Sequence, residues 1–317
     1  MPSSAPTVRL FRRDDRDQLT DLVNAHVAAV VPGVSVSVNT VLDCLTRRPG
    51  EFVTDPWVAE RVTLVAEHHR CVVAAAHLLR YRDDAEVGAD YRDASVVDWF
   101  VCRPAASFRP DAERAADLLM QACLAQSARW GVRVRYADGA LPAPGVYGLP
   151  RPWPHVRAVF ERAGFHHTGD TEVVLVAEVA DLRRACADPS AQRFVVRRSV
   201  GECGTRLTAR HGDRELGFIE VDTMLDRPER RARGGGLADI GNLHVAPDAD
   251  ADDLTGHLLA HAAEWLHLAG TDRVLDYESA ADTTSIARLT AAGFRELART
   301  DRGWEHRPHS GSLTHPT

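Results

Sequence analysis

The sequence predicts an α+β protein made of two similar tandem units, each a mixed sheet flanked by helices. Short apolar runs alternate with polar residues at strand spacing, and longer runs repeat at helical spacing. One order of elements, a strand, a long helix, a strand and a short helix, occurs twice along the 317 residues. In both copies a glycine ends the long helix and a Gly-Phe pair ends the short one. These observations predict an internal duplication.

The first unit is expected to cover residues 1–188 and to open with a strand at 8–11. Asp14 and Asp15 are typical helix caps, and the apolar residues after them recur at helical spacing up to the Pro32-Gly33 break. A second helix is predicted around 38–45. Strands are then predicted at 63–66, 72–79 and 96–101, followed by a long helix at 111–130, a strand at 132–136, a short helix at 155–163 and a final strand at 173–179.

The second unit is expected to cover residues 189–308, with its first strand near Phe194. Between 196 and 205 there is no room for two helices, so this unit should lack the first two helices of the first unit. The tail, 309–317, is predicted to be disordered. Further strands are predicted at 207–210, 215–221, 238–245 and 273–277, and helices at 253–268 and 284–292.

Several short stretches carry a resemblance to a known family. In the second unit they are I-G-N-L-H-V-A-P at 240–247, L-L at 258–259 and A-A-G-F-R at 291–295; in the first, W-F-V-C-R-P at 99–104 and R-A-G-F at 162–165 echo them. This order resembles the GCN5-related N-acetyltransferase (GNAT) superfamily, in which tandem members are known, and covers nearly the whole chain. The resemblance implies transfer of an acyl group from acetyl-CoA to an amine.

The resemblance also implies where acetyl-CoA would bind. In the family, the strand before the long helix splays from its neighbour, and its amide N–H groups can polarise the thioester carbonyl. That strand is 239–245 here, or 97–102 in the first unit. The implied cofactor-binding residues are Leu243 and Val245 on this strand, with Leu254, Thr255 and Gly256 in the first turns of the long helix.

The phosphate-binding loop departs from the family pattern, R/Q-x-x-G-x-G/A. Four aspartates lie between 248 and 253, where the pyrophosphate would bind. Exposed carboxylates at a helix N-terminus stabilise the helix by about 0.3–1 kcal/mol each, so helix capping also explains these aspartates. The first unit lacks the glycines too, although it places Arg103, Arg109 and Arg114 in this region.

The usual proton donor of the family is also replaced. Family members often carry a Tyr four residues before the Gly-Phe pair, but this sequence has Phe160 and Leu289 there. The catalytic candidates are therefore His244, Tyr277 and Asp282 in the second unit, although a hydrogen-bonded structural role suits His244 equally well. Tyr136, Tyr147 and His155 are open alternatives in the first unit.

Composition excludes several classes of protein. Each of the 38 positions counted as Lys or Arg is an arginine, so Walker A ATPases, pyridoxal enzymes and Schiff-base aldolases, which need a lysine, are excluded. A net charge of −7 does not favour nucleic acid or an anionic membrane as partners. The six cysteines are scattered without a CxxC pair, so a cytoplasmic protein without a metal site is expected.

An arginine cluster at 226–233, with four arginines, precedes three glycines at 234–236. The preferred interpretation is a mobile solvated loop. The alternative is an arm that supplies the phosphate contacts that the acidic loop lacks.

Two functional hypotheses remain open at this point. The first is an acetyl-CoA-dependent N-acetyltransferase that acts on a small-molecule amine, with a pocket built by both units. The second is a degenerate tandem protein that keeps the fold as a binding or scaffolding module with little CoA affinity. The sequence names no particular amine, and both a monomer and a homodimer are compatible with it.

Overall fold

The computed structural model describes residues 5–46, 54–106, 111–184, 194–225 and 228–306. These residues form two mixed sheets with helices packed against them. The predicted boundary at 188/189, Arg109 and the tail 309–317 lie outside the described residues, so the boundary and the disorder of the tail stay predictions.

The first sheet has seven strands and includes a strand from the end of the chain. Its first four strands are antiparallel, whereas β4 and β5 are parallel. In spatial order the strands are β1 (Thr7–Leu10), β2 (Val58–His68), β3 (Cys71–Tyr81), β4 (Ala94–Cys102), β5 (Val134–Ala137), β15 (Trp304–His306) and β7 (Phe165–His167).

The second sheet has eight strands, of which only β12 and β13 are parallel neighbours. In spatial order they are β6 (Leu149–Pro150), β14 (Arg295–Asp301), β8 (Thr171–Glu178), β13 (Arg273–Ser279), β12 (Leu237–Val245), β11 (Arg214–Asp222), β10 (Gly204–His211) and β9 (Val195–Gly201).

Seven α-helices lie in the described part of the chain: α1 (Arg16–Val30), α2 (Val38–Thr46), α3 (Ala112–Trp130), α4 (Pro154–Arg162), α5 (Pro228–Arg233), α6 (Ala251–Leu268) and α7 (Thr283–Ala291). The apolar stripe predicted for the first helix is buried in α1, and Gly131 and Gly270 follow α3 and α6 in the left-handed conformation, with φ of +69° and +65°. None of these helices is both long and apolar enough to span a bilayer.

The predicted cap of α1 is wrong in detail. Asp15 occupies the N-cap position but makes no capping hydrogen bond into the helix. Its carboxylate instead accepts a hydrogen bond from the backbone N–H of Arg12 at 2.7 Å and forms a two-pronged ion pair with Arg9. The acidic side chain therefore ties β1 to the turn before the helix.

The two sheets exchange equivalent strands. β8 was expected to complete the first unit, but it lies between β13 and β14 in the second sheet. In return β15, from the end of the second half, lies between β5 and β7 in the first sheet. Trp304 of β15 is 2% exposed and packs in the first unit's core, while Val173 of β8 is fully buried in the second. Each core therefore needs a strand from the other half.

Candidate active site between the two units

A gap opens in the second sheet between its two parallel strands. Leu237 to Asp239 on β12 pair with Arg273 to Leu275 on β13, and within the described residues the ladder stops there. β12 continues alone on this side while its other edge stays paired with β11 as far as Val245. The separation leaves backbone groups of β12 unpaired on the side facing β13, as the family resemblance implied for this strand.

A β-bulge lies beside this gap. The register between β11 and β12 shifts after Glu220, so that Gly241 is the extra residue on β12. A Cβ atom on Gly241 would lie 2.3 Å from the Cβ of Cys203, in the turn between β9 and β10. Only glycine fits this position without a backbone shift, because the obstructing atom is next to the backbone.

A buried carboxylate holds the β9–β10 turn against the bulge. Glu220 is fully buried and accepts hydrogen bonds from Asn242 Nδ2 at 2.7 Å, from Arg206 Nε at 2.6 Å and from the backbone N–H of Cys203 at 3.1 Å. Burial raises the pKa of Glu220, but these hydrogen bonds outweigh it and leave the pKa below its usual value. The network therefore keeps Glu220 ionised and fixes the turn over Gly241.

A cavity of about 750 Å³ lies where the two units meet. The first unit contributes the loop between α1 and α2, at 34–37, and the loop at 140–147. The second unit contributes the β9–β10 turn, α5 and the bulged part of β12. The volume is in the usual range of small-molecule sites. Because residues of both units form its walls, the cavity exists only in the assembled tandem.

Asp239 and two tyrosines form a hydrogen-bonded cluster in this cavity. Tyr277 Oη donates to Asp239 Oδ1, and the Tyr147 ring lies 5.2 Å from the Tyr277 ring. Burial raises the pKa of Asp239 to about 7, although the hydrogen bond from Tyr277 opposes this rise. Burial, with the nearby Asp239 charge, also raises the pKa of Tyr277 well above 10. Asp239 is therefore the group here that can exchange a proton near neutral pH.

A groove of about 880 Å³ runs between α6 and α7. Alternation along β13 places Val274 in the core beneath these helices, whereas Leu275 and Tyr277 pack toward the first unit. The groove and the cavity therefore lie on opposite faces of the second sheet, on either side of the gap between β12 and β13. Thr255 and Gly256 of α6 line the groove.

Of the aspartates at the N-terminus of α6, Asp250 is the capping residue, as one interpretation of this acidic segment predicted. Asp250 accepts hydrogen bonds from the backbone N–H groups of Asp252 and Asp253, at 3.1 and 3.2 Å. Asp252 in turn forms an ion pair with Arg288 of α7 at 2.6 Å, across the groove. The N–H groups that would bind a pyrophosphate are thus already used by a carboxylate.

The equivalent gap in the first unit is filled by the protein itself. The backbone N–H groups of Asp138 and Ala140 donate to carbonyl groups of Val97 and Asp98, at 2.8 and 3.1 Å. Phe160 of α4 is fully buried and packs edge-on against a phenylalanine of β4. The first unit therefore has no open slot beside β4 in the described part of the chain.

Histidines complete the filling of the first gap. His26 of α1 donates from Nδ1 to the Leu22 carbonyl at 2.8 Å and lies 3.2 Å from Nε2 of His155. Trp153 is 1% exposed and donates from Nε1 to the His26 carbonyl at 3.0 Å. Burial lowers the pKa of His26 to about 4, so this residue is neutral and serves in packing. His155, which is partly buried, makes the other side of this histidine contact.

The structure separates the catalytic candidates of the second unit. Tyr277 lies in the cavity. His244 is exposed five residues beyond Asp239, about 16 Å along an extended strand, and its ring lies 5.5 Å from that of Phe218. Asp282 caps α7, accepting a hydrogen bond from the Ser285 N–H at 2.9 Å. The three residues therefore do not form one site.

The other candidates are divided in the same way. Leu243 and Val245 lie on β12 beyond the bulge, and Leu254 is buried in the second core. Of the open alternatives in the first unit, Tyr147 lines the cavity. The hydroxyl group of Tyr136 donates a hydrogen bond to the backbone carbonyl of Asp90. The roles assigned to all of these residues stay predictions.

Sequence reasoning missed Asp239, Gly241 and Glu220. A signal for the first was present: Asp239 interrupts an otherwise apolar strand, L-A-D-I, and an acidic residue is rarely buried without a partner. The bulge at Gly241 has a weaker signal, a glycine inside a strand pattern. Nothing local indicated Glu220, because its partners come from two other strands and a turn.

The arginine cluster is a short helix, not the predicted loop. Arg231 of α5 donates to the carbonyl of Thr223 at 3.0 Å and to that of Gly270 at 2.9 Å, just after the C-terminus of α6. α6 has 18 residues and is about 27 Å long, so α5 lies far from the acidic N-terminus of α6. Arg230 and Arg233 instead line the cavity. The described part of the cluster cannot supply phosphate contacts at the start of α6.

Comparison with solved structures identifies the fold. A GCN5-related glucosamine N-acetyltransferase region of a fungal multi-domain GH3 β-N-acetylglucosaminidase matches 97% of this chain with a TM-score of 0.63 at 14% identity, and the match spans 38% of the fungal chain. A tandem GNAT protein from the clavulanic acid biosynthesis pathway matches 96% of this chain and 100% of its own, with a TM-score of 0.62 at 15% identity. A GCN5-related N-acetyltransferase from Sphaerobacter thermophilus matches 96% of each chain, with a TM-score of 0.59 at 13% identity. No family model and no curated protein matches the sequence. At these identities the similarity concerns the fold.

Proposed function

Because the chain has the fold of tandem GCN5-related N-acetyltransferases, we propose that it transfers an acetyl group from acetyl-CoA to the amine of a small molecule in its second unit. The observation that carries this proposal is the gap between β12 and β13. It has the bulge at Gly241 on one side, a groove on one face of the sheet and the cavity between the two units on the other. The first unit, whose gap is filled, serves as a wall of the cavity.

Two faces suit two substrates. The pantetheine arm of the donor would enter from the groove beside Thr255 and Gly256 and lie along Leu243 and Val245 of β12, so that the thioester meets the bulge. Unpaired backbone N–H groups of a bulged strand can polarise a thioester carbonyl. The acceptor amine would bind in the cavity next to Asp239.

Asp239 is suited to act as the general base. An alkyl ammonium group must lose a proton before its nitrogen can attack, and a carboxylate with a pKa of about 7 can accept that proton near neutral pH. The neutral nitrogen then attacks the thioester carbon, the N–C bond forms and the C–S bond breaks. The first proton stays on Asp239 until it is released to solvent, and a second proton, lost from the nitrogen as the intermediate collapses, neutralises the departing thiolate. Tyr277 holds the Asp239 carboxylate in place by donating its hydroxyl hydrogen bond. Phe160 and Leu289 are buried apolar residues and take no part.

The test of this mechanism is the Asp239→Asn variant. Release of the CoA thiol in the presence of an amine should fall by about 10²–10⁴-fold, because a positioned base contributes about that much. In the wild-type protein the rate should rise with pH through about 7, as the carboxylate of Asp239 loses its proton. The matched control, Asp213→Asn in the exposed β10–β11 turn, should keep the wild-type rate and profile. A wild-type rate in Asp239→Asn would contradict the assignment.

A specific observation favours the second candidate function, a binding module with little CoA affinity. The Asp250 carboxylate occupies backbone N–H groups that a pyrophosphate would otherwise use, and it would repel the phosphates. Thermal unfolding with and without acetyl-CoA separates the two functions, because a ligand at a hundred times its Kd adds about 2.7 kcal/mol.

The Asp250→Ser variant sharpens this comparison. Serine keeps a capping oxygen at the N-terminus of α6 but removes the negative charge. If acetyl-CoA binds at the second unit, the shift in unfolding temperature should be present in the wild type and larger in Asp250→Ser. If neither protein responds to millimolar acetyl-CoA, the enzyme proposal fails and the binding-module function stands.

A further inference from the structure

Six charged side chains line the cavity, four acidic and two basic: Asp98, Glu202, Asp222, Asp239, Arg230 and Arg233. At the floor lie Asp239 and Asp98, the latter 3% exposed and at the bulge of β4 that corresponds to the bulge at Gly241. At the opening lie Arg230 and Arg233 of α5, the second of which keeps 48% of its side chain exposed. Acidic side chains also reach the surface, since Glu202 is exposed, and the two basic groups of the lining both belong to α5; these two are called the rim arginines.

The two rim arginines differ in their partners. Arg233 lies 4.0 Å from the carboxylate of Glu229, one turn earlier on the same helix, which partly offsets its charge. Arg230 is half-buried against the cavity, and within the described residues no hydrogen bond or ion pair engages its guanidinium. A half-buried guanidinium in a cavity wall fits an anionic group of a ligand, which it can bind in a two-pronged geometry.

The position of Arg230 is fixed by the structure around it. Its neighbour Arg231 anchors α5 to the end of α6, and the backbone carbonyl of Arg233 accepts a hydrogen bond from the N–H of Ser35 at 3.0 Å. The helix is thus attached to both units at once. An arginine presented from such a support loses less conformational freedom on binding than one in a mobile loop.

We infer that the acceptor is an amine that carries a carboxylate or phosphate group at its far end, with the amine at Asp239 and the anionic group at Arg230. This inference rests on the proposed function for the assignment of the amine end. A diamine or polyamine is disfavoured, because its second ammonium group would meet Arg230 and Arg233. An amine with an apolar far end would gain no charge-assisted contact with Arg230.

The test uses three amines of equal chain length: 6-aminohexanoate, hexylamine and 1,6-diaminohexane. Binding is measured by thermal unfolding, and acetyl transfer by CoA thiol release. The wild-type protein should acetylate 6-aminohexanoate with a kcat/KM on the order of tenfold above that for hexylamine, because the carboxylate gains one charge-assisted contact with Arg230. The diamine should have the lowest kcat/KM, because Arg230 repels its second ammonium group.

Variants of the rim identify the residue responsible. Arg230→Gln should remove the preference for the carboxylate, and Arg230→Glu should shift the preference to the diamine. Arg133→Gln, which removes an equal charge from an exposed position outside the cavity, should leave the order of the three amines unchanged. Since the chain has no lysine, acetylation of the protein's own side chains does not confuse the signal.

The outcomes separate this inference from the proposed function. Binding that prefers 6-aminohexanoate and depends on Arg230, without any acetyl transfer, would support the inference while refuting the enzyme. Acetyl transfer to all three amines at similar rates would support the enzyme while overturning the inference. A failure of 6-aminohexanoate to bind, or a preference that survives in Arg230→Gln, would also overturn it.

Discussion

Replacing Trp304 by Ala should destabilise the first unit, although Trp304 lies near the other end of the chain. Its side chain is 2% exposed and packs against the ring of Phe160, with centroids 6.3 Å apart. The guanidinium of Arg157 lies over its indole ring at 5.2 Å, and Nε1 donates to the carbonyl of Asp301 at 3.1 Å. Apart from the hydrogen bond to Asp301, these contacts are made with residues of the first unit.

The expected loss is large relative to the total stability of the protein. A tryptophan buries on the order of 200 Å², which at about 25 cal/mol per Å² corresponds to about 5 kcal/mol. Measured Trp→Ala changes in protein cores fall at about 3–5 kcal/mol, and a folded domain is stable by only about 5–15 kcal/mol. We therefore expect Trp304→Ala to lower the free energy of unfolding by about 3–5 kcal/mol.

Amide hydrogen exchange, followed segment by segment, would show where the loss occurs. In Trp304→Ala the amides of β5 and β7 should exchange faster than in the wild type, because these strands flank β15 in the first sheet. Leu289→Ala is the matched comparison: this leucine is fully buried in the second core, so its loss should accelerate exchange in β13 and β14 first. Unchanged exchange of β5 and β7 in Trp304→Ala would refute the strand exchange.

Three other changes test separate parts of the structure. Gly241→Ala should lower the rate of acetyl transfer strongly, because the new Cβ would lie 2.3 Å from the Cβ of Cys203. Adding Cys203→Gly removes the obstructing atom and should restore the rate. A double variant as slow as Gly241→Ala would contradict this cause. Arg231→Gln should lower the urea midpoint of unfolding by an amount equivalent to about 1–3 kcal/mol, because the carbonyls of Thr223 and Gly270 lose a charged donor. Burial raises the pKa of Asp276 from 3.8 to about 8. Between these two values the folded protein keeps a proton on Asp276 that the unfolded protein releases. The free energy of unfolding therefore falls as pH rises from about 4 to about 8. Asp276→Asn should therefore be more stable than the wild type at pH 8 and show no advantage at pH 4, as measured by urea unfolding; an equal difference at both values would argue against a buried, protonated Asp276.

The tandem α+β architecture could be predicted from the sequence because its helices have long, regular apolar patterns. The stripe from Leu19 to Val30, and the repeated positions of Gly131 and Gly270, locate α1, α3 and α6 within a few residues. These signals are local: the spacing along a helix is a property of consecutive residues. Local signals do not depend on which unit an element packs in, so they survive the exchange of strands.

The exchange itself could not be predicted for the same reason. β15 has three residues, too few for a period, and the alternation in β8 indicates a strand without indicating its neighbour. The candidate site shows the same limit. Tyr277 was selected for its chemistry, but its partner Asp239 lies on the adjacent strand. Their contact depends on the register of the parallel pair β12 and β13, which the spacing of residues along the sequence does not indicate.

The exchanged strands also determine how freely the two units can move. A hinge between domains needs a segment that bends while the sheets on both sides remain intact. Here, rotation of one half away from the other would pull β8 out of the second sheet and β15 out of the first, breaking backbone ladders in both. We therefore expect the two halves to move together. On this reasoning the fold sets the width of the cavity, and the proposed acceptor would enter through the opening beside α5 without an opening motion of the domains.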